Sequence, residues 1–254
     1  KNTEIYNLNT SKIRHSFLPI YNFLKKTDTD IVLVNLWPLT IITIIANLLL
    51  FKKHNIIFIE HQILSKSYSK KFNNFRWYLG LSIKIFYKFA NKVFCVSNAV
   101  KNDLIKLGVS KSHISVLYNP IELSNRYEKK LTNKILEFKK NKKLILSVGS
   151  FKVEKDFHSL LKAFILLKSE INPKLIIVGD GPLFKDIKQF IDLNNLNDDV
   201  YLPGFIRQLY PFYLNSDLFV LPSIHEGFGN VIVESLSVGT PVVVTNSGGP
   251  VEIL

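Results

Sequence analysis

The chain has 254 residues, 47% of them hydrophobic and 21% charged, which excludes a disordered polymer and leaves room for two domains of ordinary size. A formal net charge of +13 demands an acidic partner or surface. One cysteine, Cys95 in the apolar run VFCVS, excludes an internal disulfide, fits a reducing compartment and reads as a packing residue; spacings of Cys and His suited to zinc are absent.

In chain order, Glu4–Leu8 is predicted as a strand and Leu18–Lys26 as a helix. Residues 31–51 carry no charge and are long enough to cross a bilayer. Asn35, Pro38 and Asn47 interrupt that run, and Pro38 suits a first helical turn. The preferred reading is therefore a strand IVLVNLW, a helix PLTIITIIANLLLFKKH and a strand NIIFIEH. No acidic residue follows between Glu60 and Asp103, an interval that holds Lys66, Lys70, Lys71, Arg76, Lys84, Lys88 and Lys92 among many aromatic rings. Phe72, Phe75, Leu79, Ile83, Phe86 and Ala90 recur there at helical spacing, giving one apolar face. Cations beside aromatics on such a helix suit an anionic membrane surface against residues 66–92. A core-packed helix in a lysine-rich chain is the competing reading. Nucleic acid also favours basic and aromatic residues but is not the expected partner. KVFCVS (strand), NAVKNDLIKLG (helix) and HISVLYNP (strand and turn) complete this part.

The polar stretch SNRYEKKLTNKILEFKKNKK is the predicted boundary, giving domains over 1–123 and 143–254 with a linker at 124–142. From Lys143 the alternation restarts: LILSVG, FHSLLKAFILLKS, LIIVGDG, PLFKDIKQFIDLNN, VYLPG, IRQLYPFYLNS, LFVLPS, GNVIVESLSVG and PVVVTN. Short apolar strands between helices predict parallel sheets covered on both faces, hence two Rossmann-like α/β domains facing a cleft. Ligands of such sheets bind at the carboxyl ends of the strands. Those ends carry Ser150–Lys155, Gly179-Asp180-Gly181-Pro182, Gly204-Phe205, HEGFGN at 225–230 and Ser247-Gly248-Gly249-Pro250. Helix N-termini and a lysine suit a phosphate-bearing ligand. The absence of GxxxxGK and of a full GxGxxG removes the main support for an ATPase or a dinucleotide enzyme. Asp28-Thr29-Asp30 is a DxD triplet ahead of a strand, read as a turn rather than a metal motif.

The block EGFGNVIVESLSVGTPVVVTNSGGPVEIL resembles the signature region of retaining glycosyltransferases of family 4, which have the two-domain GT-B fold. SVGSFKVEKDFHSLLKAF, LIIVGDGPL, VYLPGF and SDLFVLPS resemble its second domain, and IFIEH, VFCVSNAVKNDLIKLG and ISVLYNPIE its first. The resemblance implies transfer of a sugar from a nucleotide diphosphate, most often UDP, to a glycan or lipid-linked acceptor, with retention and without a metal or other cofactor. It places Glu226 on the donor sugar, Glu234 on the ribose and Lys155 on the diphosphate. The backbone of Gly227, Phe228, Gly229, Asn230 and Val231 would meet sugar and phosphate, that near Phe205 the base, and Gly181 would admit the diphosphate or base. His61 matches a histidine near the diphosphate and acceptor. Ser150 occupies a position that is often arginine in the family, which shifts the diphosphate onto Lys155, helped by Lys152. The family's first strand, its glycine-rich loop and its C-terminal helix have no counterpart, and the chain starts at Lys1 without methionine, so a piece of a longer protein is expected. The expected location is the cytoplasm, at the inner face of the membrane. Rival readings are a nucleotide-sugar epimerase or phosphorylase on the same fold, or a non-catalytic membrane-associated nucleotide-sugar-binding protein.

Overall fold

The computed structural model describes residues 4–50, 54–68, 75–122 and 128–254, with the backbone alone described at 75–77. The chain divides into two units, Lys1–Tyr118 and Asn119–Leu254. Unit 1 runs α1 (Phe17–Lys26), β1 (Ile31–Asn35), α2 (Leu39–Leu49), β2 (Asn55–Glu60), α3 (Leu64–Ser67), α4 (Phe75–Phe86), β3 (Lys92–Cys95), α5 (Asn98–Lys106) and β4 (Ile114–Val116). Its strands are parallel in the order β1-β2-β3-β4. Unit 2 runs α6 (Lys129–Lys139), β5 (Leu144–Val148), α7 (Phe157–Ile171), β6 (Lys174–Val178), α8 (Phe184–Leu193), β7 (Val200–Gly204), α9 (Tyr210–Asn215), β8 (Leu218–Leu221), α10 (Asn230–Ser237) and β9 (Val242–Val244). Its five strands are parallel in the order β7-β6-β5-β8-β9. This is the GT-B class of fold expected above: two parallel-sheet α/β units.

Every residue of β5 and β6 is buried, because the sheet is covered on both sides. Alternation along the strands divides the core. Ile145, Leu175 and Ile177 meet α7 and α8 through Leu161, Phe164 and Ile187. Leu144, Leu146, Ile176 and Val178 meet the opposite layer through Ile135, Phe212 and Ile232.

Two expectations are corrected. Glu4–Leu8 forms no strand: a period-two pattern needs a ladder partner, and Tyr6 instead rests its ring 5.1 Å from that of Phe23. The predicted linker at 124–142 contains α6, whose Leu131, Ile135 and Phe138 pack into the core of unit 2. Their spacing of four and three residues is an apolar stripe that the surrounding lysines obscured. Residues 123–127 of that segment lie outside the described residues.

The apolar face of the basic helix suited either a membrane or a core. Lys70, Lys71 and Phe72 lie outside the described residues, while Leu79, Ile83 and Ala90 are at most 3% exposed, so this face packs in the core. Residues 31–51 divide into β1 and α2 as expected, and an 11-residue helix rises only ~16 Å against a ~30 Å hydrocarbon layer. Among the described residues no helix is long and apolar enough to cross a membrane.

Candidate functional site

The strand order of unit 2 selects one position for a ligand. From β5 the chain moves outward through β6 to β7, then returns to place β8 on the other side of β5. The loops leaving β5 and β8 therefore diverge at a topological switch point, where open parallel sheets bind their ligands. After β5, Ser150 is half-buried and the chain turns through Val153–Lys155 to Asp156, which caps α7 by accepting from the backbone amide of Ser159 at 3.4 Å and also accepts from its hydroxyl at 2.7 Å. After β8, the amide of Ile224 donates to the carbonyl of Glu154 at 2.9 Å and so ties the two loops together.

Across this junction Lys155 Nζ pairs with Glu226 Oε2, and Ser223 Oγ donates to the same oxygen at 3.3 Å. The lysine and glutamate side chains are 17% and 18% exposed, so the pair is screened by water less than a surface ion pair. The backbone of Glu226 is held on both sides: its amide donates to Ser247 at 2.9 Å, and its carbonyl accepts from Gly249 at 3.0 Å. A Cβ at Gly249 would lie 2.3 Å from the carbonyl oxygen of Gly227, so glycine permits the two loops to touch.

Gly227 and Phe228 are buried and lead into Gly229, whose φ of 99° caps α10. The first amides of α10, at Asn230 and Val231, have no intrahelical acceptor and share the positive end of the helix dipole. Asn119, the first residue of unit 2, donates its side-chain amide to Asn230 Oδ1 at 2.9 Å. Glu234 is the fifth residue of α10, a little over one turn in. Tyr213 of α9 donates its hydroxyl to Glu234 Oε2 at 2.8 Å. Burial and then the Glu234 charge drive that phenol well above its ordinary pKa, keeping it a donor.

Gly181 has a local packing reason to be glycine, since a Cβ there would meet the backbone of Phe151 at 2.7 Å. Phe205, after β7, is 75% exposed. His61 belongs to unit 1, directly after β2, and its Nε2 lies 3.1 Å from Asn35 Oδ1 at the end of β1. An amide oxygen there accepts the Nε2 proton and leaves Nδ1 as the basic nitrogen, while burial lowers the imidazole pKa. The adjacent Glu60 is fully buried and accepts from the Tyr87 phenol; burial pushes its carboxyl up to about 7 against that hydrogen bond. Burial also lifts the Cys95 thiol to about 12, in keeping with packing.

Asp28–Asp30 precede β1 and so lie at its amino end, opposite Asn35. Among the described residues no cluster of three or more His, Cys, Asp or Glu is placed to hold a metal ion. Asn35, Asn119 and Tyr213 escape sequence reasoning because each partner is 21 to 111 residues away.

Residues 128–254 match the family described as glycosyl transferases group 1, and residues 6–125 match Glycosyltransferase Family 4. The chain belongs to the glycosyl transferases group 1 family. Among its relatives is the Campylobacter jejuni N-acetylgalactosamine-N,N'-diacetylbacillosaminyl-diphospho-undecaprenol 4-alpha-N-acetylgalactosaminyltransferase, 33% identical over 165 residues, which are 65% of this chain and 44% of that protein. Another is the capsular polysaccharide biosynthesis glycosyltransferase CapM of Staphylococcus aureus, 31% identical over 72% of this chain and 50% of that protein. HepE of Anabaena, solved with UDP and glucose, superposes over 94% of this chain and 65% of its own with a TM-score of 0.81 at 22% identity, a likeness of fold. The chain thus spans about half the length of the curated relatives it matches.

Proposed function

We propose that the protein moves a sugar from a nucleotide diphosphate sugar, UDP being the first donor to try, to a glycan or lipid-linked acceptor in cell-surface glycan synthesis. The observation that carries this reading is the Lys155–Glu226 pair at the β5/β8 switch point, beside the N-terminus of α10. Departure of a nucleoside diphosphate gathers negative charge, and a half-buried ammonium with helix amides is suited to stabilise it. In this reading Lys155 holds the diphosphate, the amides from Gly227 to Val231 meet phosphate and sugar, and Glu226 binds sugar hydroxyls. Glu234, steadied by Tyr213, takes the ribose. Gly181 and the backbone near Phe205 border the base. One relative whose name includes a diphospho-undecaprenol-linked sugar, and another named for capsular polysaccharide biosynthesis, support the acceptor class.

The chemistry proposed is retaining and metal-independent. The bond from anomeric carbon to phosphate oxygen breaks, the acceptor oxygen bonds the same face, and its proton passes to the departing phosphate. His61 is assigned to the acceptor side by resemblance. The work is placed in the cytoplasm. The test is transfer from radiolabelled UDP-sugars to a membrane extract, with and without a chelator: donor binding without transfer to any acceptor rejects the enzyme, and loss of transfer on chelation rejects metal independence.

A further inference from the structure

Helix α4 has two apolar faces. One, with Leu79 and Ile83, is buried, and Tyr87 and Ala90 extend it beyond the helix end. On the opposite side Tyr78, Leu81, Ile85 and Phe89 are 60%, 39%, 39% and 45% exposed. Their spacing of three and four residues aligns them in one stripe along the helix and the turn that follows. Lys84 and Lys88 are exposed along one edge of that stripe, with Lys88 Nζ 5.1 Å from the centre of the Phe89 ring. A helix whose core face is already buried has no folding reason to carry a second apolar stripe.

The charge around it has one sign. Unit 1 contains 17 Lys and Arg against 5 Asp and Glu, whereas unit 2 contains 16 against 15. The +13 of the chain therefore resides almost wholly in the unit that carries the stripe.

We infer that the stripe on α4 docks on an anionic lipid bilayer, the helix lying flat with Leu81 and Ile85 among the headgroups and upper acyl chains and Lys84 and Lys88 at lipid phosphates. Charge complementarity favours lipid over a second copy, which would set the same lysines against each other. Four side chains also fall short of the ~800 Å² per partner of a stable dimer. Aliphatic residues at the centre of the stripe favour lipid over single-stranded nucleic acid, whose bases stack on aromatic platforms. This deepens the transferase reading, on which it rests only for its purpose: it names where a lipid-linked acceptor is met.

The test is co-sedimentation of the full chain with phosphatidylcholine vesicles, with and without phosphatidylglycerol. The anionic vesicles should bind at least about tenfold more tightly, and less so at high salt. Lys84→Gln and Lys88→Gln should each cost roughly fivefold. Leu81→Ser with Ile85→Ser, at exposed positions, should cost about tenfold or more without changing the circular dichroism spectrum. Equal binding to both vesicle types, or unchanged binding by the Leu81/Ile85 variant, overturns the inference. So does release from vesicles by a single-stranded oligonucleotide, or a dimer in light scattering that this variant dissociates. Vesicle binding needs no sugar transfer: an inactive chain that binds vesicles removes the transferase reading alone, and an active chain that ignores them removes this inference alone.

Discussion

The two units share a parallel-sheet plan and treat their lysines in opposite ways. In unit 2 acidic side chains gather them at the amino end of the sheet. Asp199 meets Lys168 at 2.6 Å, Lys174 at 2.9 Å and Lys142 at 3.7 Å, and Asp217 meets Lys139 at 2.7 Å and Lys143 at 3.1 Å. Burial alone would raise both carboxyls, but hydrogen bonds from Lys168 and Lys174 hold Asp199 at about 2, and one from Lys139 does the same for Asp217. At the carboxyl end Lys155 is matched to Glu226. Unit 1 has too few acidic residues for such matching, and its titratable interest is a buried, unmatched carboxyl, Glu60. Internal neutralisation suits a unit that grips one small anion at a defined point; a surplus of cations suits one that meets an extended acidic surface.

The largest effects are expected at the site of unit 2. Lys155→Ala and Glu226→Ala should each lower transfer by about 10²–10³-fold, the range for removing one group that stabilises developing charge. Glu226→Ala should leave nucleotide affinity, measured by calorimetry, much less changed than turnover. Gly249→Ala should cost roughly 1–3 kcal/mol of unit 2 stability in chemical denaturation, because its Cβ has nowhere to go between Gly227 and Phe228.

For unit 1 the prediction is a pH dependence. Glu60 has a folded-state pKa of about 7 against an ordinary 4.5, so the folded chain holds the proton more tightly. Its stabilising contribution is complete below pH 4.5 and is lost as pH rises to about 7. Glu60→Gln keeps an acceptor for Tyr87 but cannot titrate, and should flatten that fall, worth on the order of 1–3 kcal/mol, in thermal melts between pH 4 and 8. An unchanged slope would show that the carboxyl titrates normally. Smallest is Tyr213→Phe, which should weaken nucleotide binding by about fivefold, near 1 kcal/mol, with turnover at saturation preserved. Asn35→Asp sharpens the contrast between units: a carboxylate on the His61 ring should raise its pKa in an NMR titration, whereas no change would place Asn35 outside its control.

Much of unit 2 was legible because its signals are local. Each strand, glycine turn and helix start lies within a few residues of the next, and Asn230 opens α10 where GFGN indicated. Unit 1 was less legible where periodicity left a choice of face. The spacing of Leu79 and Ile83 identified a helix, yet a core and a bilayer accept the same apolar stripe, and only the packing of α4 showed which face was already spent. Residues 129–139 looked like a linker because lysines dominate their composition, although three apolar positions sufficed to bury the helix.

Neighbours along the chain set the alternation of strands and helices, the loops that could carry chemistry and the family resemblance. Tertiary structure decided the strand order that puts the β5 and β8 loops together and joins Lys155 to Glu226. It also decided which partners steady Glu234 and His61, and which side of α4 meets water. Those outcomes depend on contacts between segments dozens of residues apart, where burial of one face and satisfaction of one hydrogen bond select among arrangements that local preference leaves equal.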